Sequence, residues 1–216
     1  MAPIKDELAR YGHKIYQAHL VVGAGGNISA RDGEIIWMKP SGLAMDEIAP
    51  EDLCGMELAT GRQVEGAHKP TSEVNMHLGI YRVRPDVMAV FHTHSPWLCG
   101  VVSSGIELRP MFAEFVNDLG RRTTVPYVTP TTQALADVVT EAAREHETIF
   151  MSNHGVCCLG VNMKQAFYRA LIVEDAAKSL VAAAVVGKPQ LFTEAQEADI
   201  MAQAASQHRI KMMEEG

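Results

Sequence analysis

The 216-residue sequence has little of what would assign it at a glance. It holds four cysteines, Cys54, Cys99, Cys157 and Cys158, at spacings that match neither a zinc finger nor a redox pair. A disulfide scaffold is not expected. Buried free thiols in a reducing cytoplasm are expected instead, with Cys157 and Cys158 on opposite faces of one strand. Basic residues are scarce beside acidic ones, 19 Lys and Arg against 26 Asp and Glu, for a net charge of −7. A nucleic-acid surface or a membrane-binding face needs the opposite balance. Apolar runs long enough to span a bilayer are missing, and the N-terminus has no signal-peptide pattern, so a cytoplasmic location is expected. The alanine-rich stretch 182–186 lies in a helical pattern with Glu174, Asp175 and Lys178 and reads as a packed helix. Internal repeats, linkers and low-complexity segments are also lacking.

What is present suits one domain over residues 1–216, with an ordinary apolar fraction of 47% and enough chain for a sizeable core. Ile4, Leu8, Tyr11, Ile15 and Ala18 form a helical stripe over 4–20. Residues 28–30 and 34–38 read as a hairpin across Arg31-Asp32-Gly33, and 52–57 as a further short strand. A helix is expected from Pro70-Thr71-Ser72-Glu73, with Thr71 or Ser72 as its cap. Another is expected over 95–103, one from Thr131 or Thr132 to His146, and a long one over 163–186. Thr193-x-x-Gln196 is a capping box opening the last helix. Thr124-Val125-Pro126-Tyr127-Val128 resembles an edge strand, because proline would break a central one. Residues 106–122 have no clear pattern. Many short strands with helices before and after predict a layered α/β domain with a mixed sheet.

The chemistry gathers at Val87–His94, an apolar strand ending in His92-Thr93-His94. Side chains alternate along a strand, so the two imidazoles share a face, about 7 Å apart along the chain. They either hold one metal ion or form a hydrogen-bonded pair. His154, in Ser152-Asn153-His154-Gly155 after a second apolar strand (148–151), is a candidate third ligand. Three histidines with a position left open is the composition of a catalytic zinc site. Upstream lie three phosphate-friendly turns: Gly23-Ala24-Gly25-Gly26, Lys39-Pro40-Ser41-Gly42 and the Thr-Ser-Glu helix start. Each offers backbone N–H groups or small hydroxyls, and the glycine turn lacks the preceding strand of a dinucleotide fingerprint.

Gly25-Gly26-Asn27-Ile28-Ser29, Pro40-Ser41-Gly42, Lys69-Pro70-Thr71-Ser72-Glu73, His92-Thr93-His94 and Ser152-Asn153-His154-Gly155, in this order, resemble the class II aldolase/adducin family. The resemblance is strongest to the fuculose-phosphate aldolase branch and covers nearly the whole chain, from the first helix to the long helix ending near Gly187. It implies an α/β/α layered fold with a central mixed, mostly antiparallel sheet, and a homotetramer with active sites between subunits. It implies zinc on His92, His94 and His154, with manganese or cobalt also compatible with imidazole ligands. Glu73 would be the catalytic carboxylate, able to ligate the metal at rest. Gly26, Asn27, Ser41, Gly42, Thr71 and Ser72 would hold the substrate phosphate.

The implied reaction is reversible cleavage of a ketose 1-phosphate, of fuculose, ribulose or 5-deoxypentulose type, to dihydroxyacetone phosphate and an aldehyde. Zinc would stabilise the enediolate and Glu73 would exchange the proton at carbon, a role favoured by a pKa raised towards neutrality through partial burial. One departure stands out. The branch draws a tyrosine from the neighbouring subunit out of the stretch matching residues 108–115, and this stretch has none. Alignment on Pro110 brings Glu114 near that position, as a substitute acid–base group or a solvated glutamate. Fuculose 1-phosphate itself is thereby put in doubt, and a substrate with a less polar tail fits as well. Metal-dependent decarboxylases, epimerases and dehydratases of phosphorylated sugars or sugar acids belong to the same family. The tail 207–213 lacks the tyrosine of the epimerases, and Ser72 stands where phosphosugar-acid decarboxylases carry lysine. An adducin-like binding head is the non-catalytic reading; a stoichiometric metal would separate it from an enzyme.

Overall fold

A computed structural model describes residues 3–215. Helix α1 (Ile4–Gln17) leads into a hairpin of β1 (Asn27–Asp32) and β2 (Ile35–Met38). After a 3₁₀ turn at Pro50–Asp52 come β3 (Cys54–Glu57) and β4 (Gln63–Glu65). Then follow α2 (Val74–Val83), β5 (Ala89–Thr93), α3 (Pro96–Ser103), α4 (Ala113–Asp118), β6 (Arg122–Val125) and α5 (Gln133–Ala143). The hairpin β7 (Thr148–Met151) and β8 (Gly155–Gly160) precedes the long α6 (Met163–Val186), α7 (Glu194–Met201) and α8 (Ala204–Glu214).

The eight strands form one sheet in the order β4-β3-β2-β1-β5-β8-β7-β6. Only β6–β7 is parallel; every other neighbouring pair is antiparallel. Strand alternation splits the interior into two layers. Ile28, Phe91 and Cys158 pack with Leu8 and Ile15 of α1, Leu98 of α3, Phe115 of α4 and Val173 of α6. Val90, Ile149 and Cys157 pack on the other face with Ile80 and Tyr81 of α2 and Leu135 and Val139 of α5. The fold is therefore the expected α/β/α arrangement with a mixed, mostly antiparallel sheet. Cys157 and Cys158 do face opposite layers, and all four cysteines are free, Cys99 only half-buried.

Local differences have local causes. α2 starts at Val74 with Glu73 at its cap, because the Thr71 hydroxyl accepts the Glu73 amide at 3.3 Å inside the preceding turn instead of capping the helix. Thr132 caps α5 by accepting from Leu135 N at 3.2 Å. The patternless stretch contains α4, whose six residues are too few to display a period. Thr193 and Gln196 form the expected capping box, but that helix ends at Met201 and α8 is separate.

Candidate active site

The three histidines meet because β5 and β8 are antiparallel neighbours, with His92 opposite Cys157 and Thr93 opposite Val156. The end of β5 and the start of β8 thus lie at the same edge of the sheet, and His92, His94 and His154 bring one ligand atom each to within 4.8 Å of one another. Gly155 permits this. A Cβ there would stand 2.3 Å from the Thr93 carbonyl oxygen and against the rings of both His92 and His94. Gly26 is constrained in the same way, with φ +66° and the His92 carbonyl oxygen 2.8 Å from where a Cβ would sit.

His92 is fully buried and donates from Nδ1 to the Val156 carbonyl at 2.9 Å, which leaves the Nε2 lone pair free. That nitrogen lies 2.8 Å from His94 Nε2 and 3.2 Å from Glu73 Oε2. Glu73 Oε1 stands 3.5 Å from His154 Nε2. Glu73 Oε1 and His154 Nδ1 are both buried without a hydrogen-bond partner. Burial, and secondarily the neighbouring His92, pushes His94 down to about 3 and His154 to about 4. Three imidazoles and a carboxylate that converge in this way, with Glu73 Oε1 and His154 Nδ1 unpartnered, make a donor set that fits a divalent ion.

The expected raised pKa of Glu73 is overturned. Burial pushes it up, but His92, the Asn27 amide and His154 outweigh burial and hold the carboxyl below its usual range. The carboxyl is thus held towards its ionised form.

Beside the histidines lies a cavity of about 170 Å³. It collects Gly26, Asn27, Ser41, Gly42, Thr71, Ser72 and Glu73, all drawn from three separate turns, together with His94 and His154. The bridge between Pro40 and Pro70 and the bond from Ser41 N to the Lys69 carbonyl hold the second and third turns together. The Asn27 side chain is already engaged, donating from Nδ2 to Glu73 Oε2 at 2.9 Å and accepting on Oδ1 from His77 Nε2 at 2.5 Å.

Lys39 lines the same cavity, where the sequence pattern shows only a turn residue. It is 2% exposed, and its ammonium donates only to the carbonyls of Ala24 at 3.2 Å and Pro40 at 3.3 Å. Among the described residues no carboxylate lies within 4 Å of it, and burial lowers its pKa to about 8. A lysine directly after the buried run Ile36-Trp37-Met38 was the available signal. Glu114 is not brought here: it is exposed on α4, outside this cavity.

A larger cavity, about 550 Å³, opens at the opposite edge of the sheet. Several of its charges are paired, Arg84 with Asp86 at 2.8 Å and Arg122 with Glu197 at 3.0 Å, the buried Arg169 donates to carbonyl and amide oxygens, and none of the ligand set lies there. Size does not mark the functional site in this molecule.

Residues 6–181 match the family model described as Class II Aldolase and Adducin N-terminal domain. The chain is 36% identical over 193 residues to a 5-deoxy-D-ribulose 1-phosphate aldolase of Bacillus thuringiensis serovar kurstaki, covering 88% of this chain and 90% of the relative. It is 30% identical over 183 residues to a 3-oxo-tetronate 4-phosphate decarboxylase of Escherichia coli K12, covering 81% and 84%. Among solved structures, an L-fuculose 1-phosphate aldolase superposes with a TM-score of 0.85 at 28% identity, over 93% of this chain and 95% of that one.

Proposed function

The chain belongs to the class II aldolase and adducin family, and from that premise we propose that it is a metal-dependent aldolase. Its reaction is the reversible cleavage of a ketose 1-phosphate to dihydroxyacetone phosphate and an aldehyde. The observation that carries this reading is the juxtaposition of the three-histidine group with one small cavity, lined by His94, His154, Glu73 and a buried lysine that has no carboxylate within 4 Å.

His92, His94 and His154 would hold one divalent ion, zinc by the family's habit, with Glu73 able to join them. When bound, that ion supplies Lewis-acid stabilisation of the negative charge of an enediolate. The remaining work falls to the chain. Lys39 supplies the charge, and Ser41, Thr71, Ser72 and the backbone of Gly26 and Gly42 the donors, for a phosphate dianion. Glu73, ionised and held by Asn27, takes the proton from C3 of dihydroxyacetone phosphate in the aldol direction and returns it in cleavage. Glu114 serves the C4 oxygen from a neighbouring subunit of a tetramer, a role compatible with its exposure on α4. The 5-deoxypentulose relative supports a substrate with an apolar tail. Four free thiols and the absence, among the described residues, of a helix able to cross a membrane agree with a cytoplasmic enzyme.

A second reading, decarboxylation of a phosphorylated sugar acid, is supported by the 30% identical relative. Incubating the zinc-loaded protein with a panel of ketose 1-phosphates and 3-oxo sugar-acid phosphates separates the two. Dihydroxyacetone phosphate is expected from a ketose 1-phosphate, with an aldehyde as its co-product. Decarboxylation of a 3-oxo-tetronate 4-phosphate also leaves dihydroxyacetone phosphate, so the deciding product is carbon dioxide: its release from the acid, with no aldehyde from any ketose 1-phosphate, would replace the aldolase with the decarboxylase.

A further inference from the structure

Behind Glu73 the side chains of β1 and α2 form a buried row that the proposed chemistry does not use directly. Asn27, Ser29, Glu73, His77 and Tyr81 are each at most 6% exposed. The Tyr81 hydroxyl lies 2.9 Å from Ser29 Oγ, and Ser29 Oγ lies 2.6 Å from His77 Nδ1. His77 Nε2 reaches Asn27 Oδ1, and Asn27 Nδ2 reaches Glu73 Oε2.

The direction of every bond follows from the ends. A carboxylate only accepts, so the Asn27 NH₂ faces Glu73 and its carbonyl oxygen faces His77. That oxygen only accepts, so His77 carries its proton on Nε2. Burial keeps the ring neutral, its pKa lowered to about 3, so Nδ1 is bare and accepts from the Ser29 hydroxyl. Ser29 in turn accepts from Tyr81. All four bonds run one way, from Tyr81 towards Glu73.

We propose that His77 is a positioning residue: fixed as the Nε2–H tautomer by Ser29 and Tyr81, it locks the Asn27 side-chain amide in the orientation that presents N–H to Glu73. An amide has two nearly isosteric orientations. The flipped one would set the Asn27 carbonyl oxygen against the Glu73 carboxylate, beside the cavity that both residues line. His77 thus secures, from one layer back, the donor that holds the Glu73 carboxylate. The inference rests on the proposed function for its consequence in catalysis, and on hydrogen-bond geometry together with the burial of the His77 ring for its premise.

Two measurements test it. In metal-free protein labelled with ¹⁵N-histidine, with His77 assigned by its loss in His77→Gln, the ring should read as protonated at Nε2 and bare at Nδ1. A proton on Nδ1 overturns the proposal. The second is a double-mutant cycle on zinc affinity and on kcat with His77→Leu and Asn27→Ala. Residues behind the ligand shell change metal affinity by roughly 10- to 100-fold, so His77→Leu should weaken zinc binding and lower kcat by at least about 10-fold in the native background. It should change either by less than about twofold when Asn27 is already alanine. His77→Gln, which keeps an N–H at the Nε2 position, should recover most of both. Equal losses in the two backgrounds, or a Gln variant as poor as the Leu variant, would mean a merely structural histidine. A protein that released no dihydroxyacetone phosphate would sink the proposed function, while the imidazole spectrum would still decide this one.

Discussion

Lys39 is the residue with the most unusual setting. A buried ammonium that donates only to carbonyl oxygens, with the Glu47 charge acting on it from beyond 4 Å, costs stability unless an anion joins it. Lys39→Met should therefore leave the ligand-free protein as stable as the native one, or more so, while raising KM for a phosphorylated ketose about 10- to 100-fold, the range for a lost charge-assisted contact. Inorganic phosphate should raise the native Tm and leave that of Lys39→Met unmoved. The sign with pH is fixed by the lowered pKa. Between about 8, where folded Lys39 gives up its proton, and 10.5, its ordinary value, the unfolded chain binds the proton that the folded one has lost. Stability rises with pH wherever that holds, so the native protein should gain on Lys39→Met across this window. Denaturation of both proteins at pH 7.5 and about 10.5, without anion, checks it.

At the scale of elements, the site depends on where β5, β8 and α3 begin and end. α3 starts two residues after His94, and its own Ser95 makes no side-chain cap. Glu174 of α6 takes that role across the layer, accepting from Trp97 N at 3.3 Å and Leu98 N at 3.1 Å. Glu174→Ala should cost about 1.5–3 kcal/mol, the range for a hydrogen bond to a charged group, measured by urea denaturation, and should weaken zinc binding by loosening the turn that carries His94. Local chemistry made much of this legible in advance. The β1–β2 hairpin, the His92 strand, the strands flanking His154 and α6 are written in period and punctuation over a few residues each. The three-histidine group was legible because alternation along the strand pairs His92 with His94. What was hidden depends on distant partners. Lys39 is defined by the Ala24 carbonyl fifteen residues away, Asn27 by Glu73 and His77, and Glu174 by amides more than seventy residues back. The Thr71–Ser72 cap failed because a hydroxyl can serve a turn as well as a helix.

For the whole molecule the central assignment divides the labour between two carboxylates. Glu73 sits in the cavity, whereas Glu114 is exposed on α4 of the same chain and, in the proposed tetramer, would act across a subunit boundary. Purified Glu73→Gln and Glu114→Gln proteins, unfolded together and reassembled, should therefore regain part of the cleavage activity that each lacks alone. Sites pairing an intact Glu73 with a neighbour's intact Glu114 then exist; no regain would remove Glu114 from the reaction. The most direct test of the account is the half-reaction that needs Glu73 and no aldehyde: exchange of the C3 proton of dihydroxyacetone phosphate with deuterium, followed by NMR on samples of equal zinc content. Native protein and Glu114→Gln should exchange at similar rates, and Glu73→Gln should be slower by about a hundred- to ten-thousand-fold, the contribution of a positioned acid–base group. Exchange at the native rate in zinc-loaded Glu73→Gln would mean that another residue is the base and that the proposed mechanism is wrong.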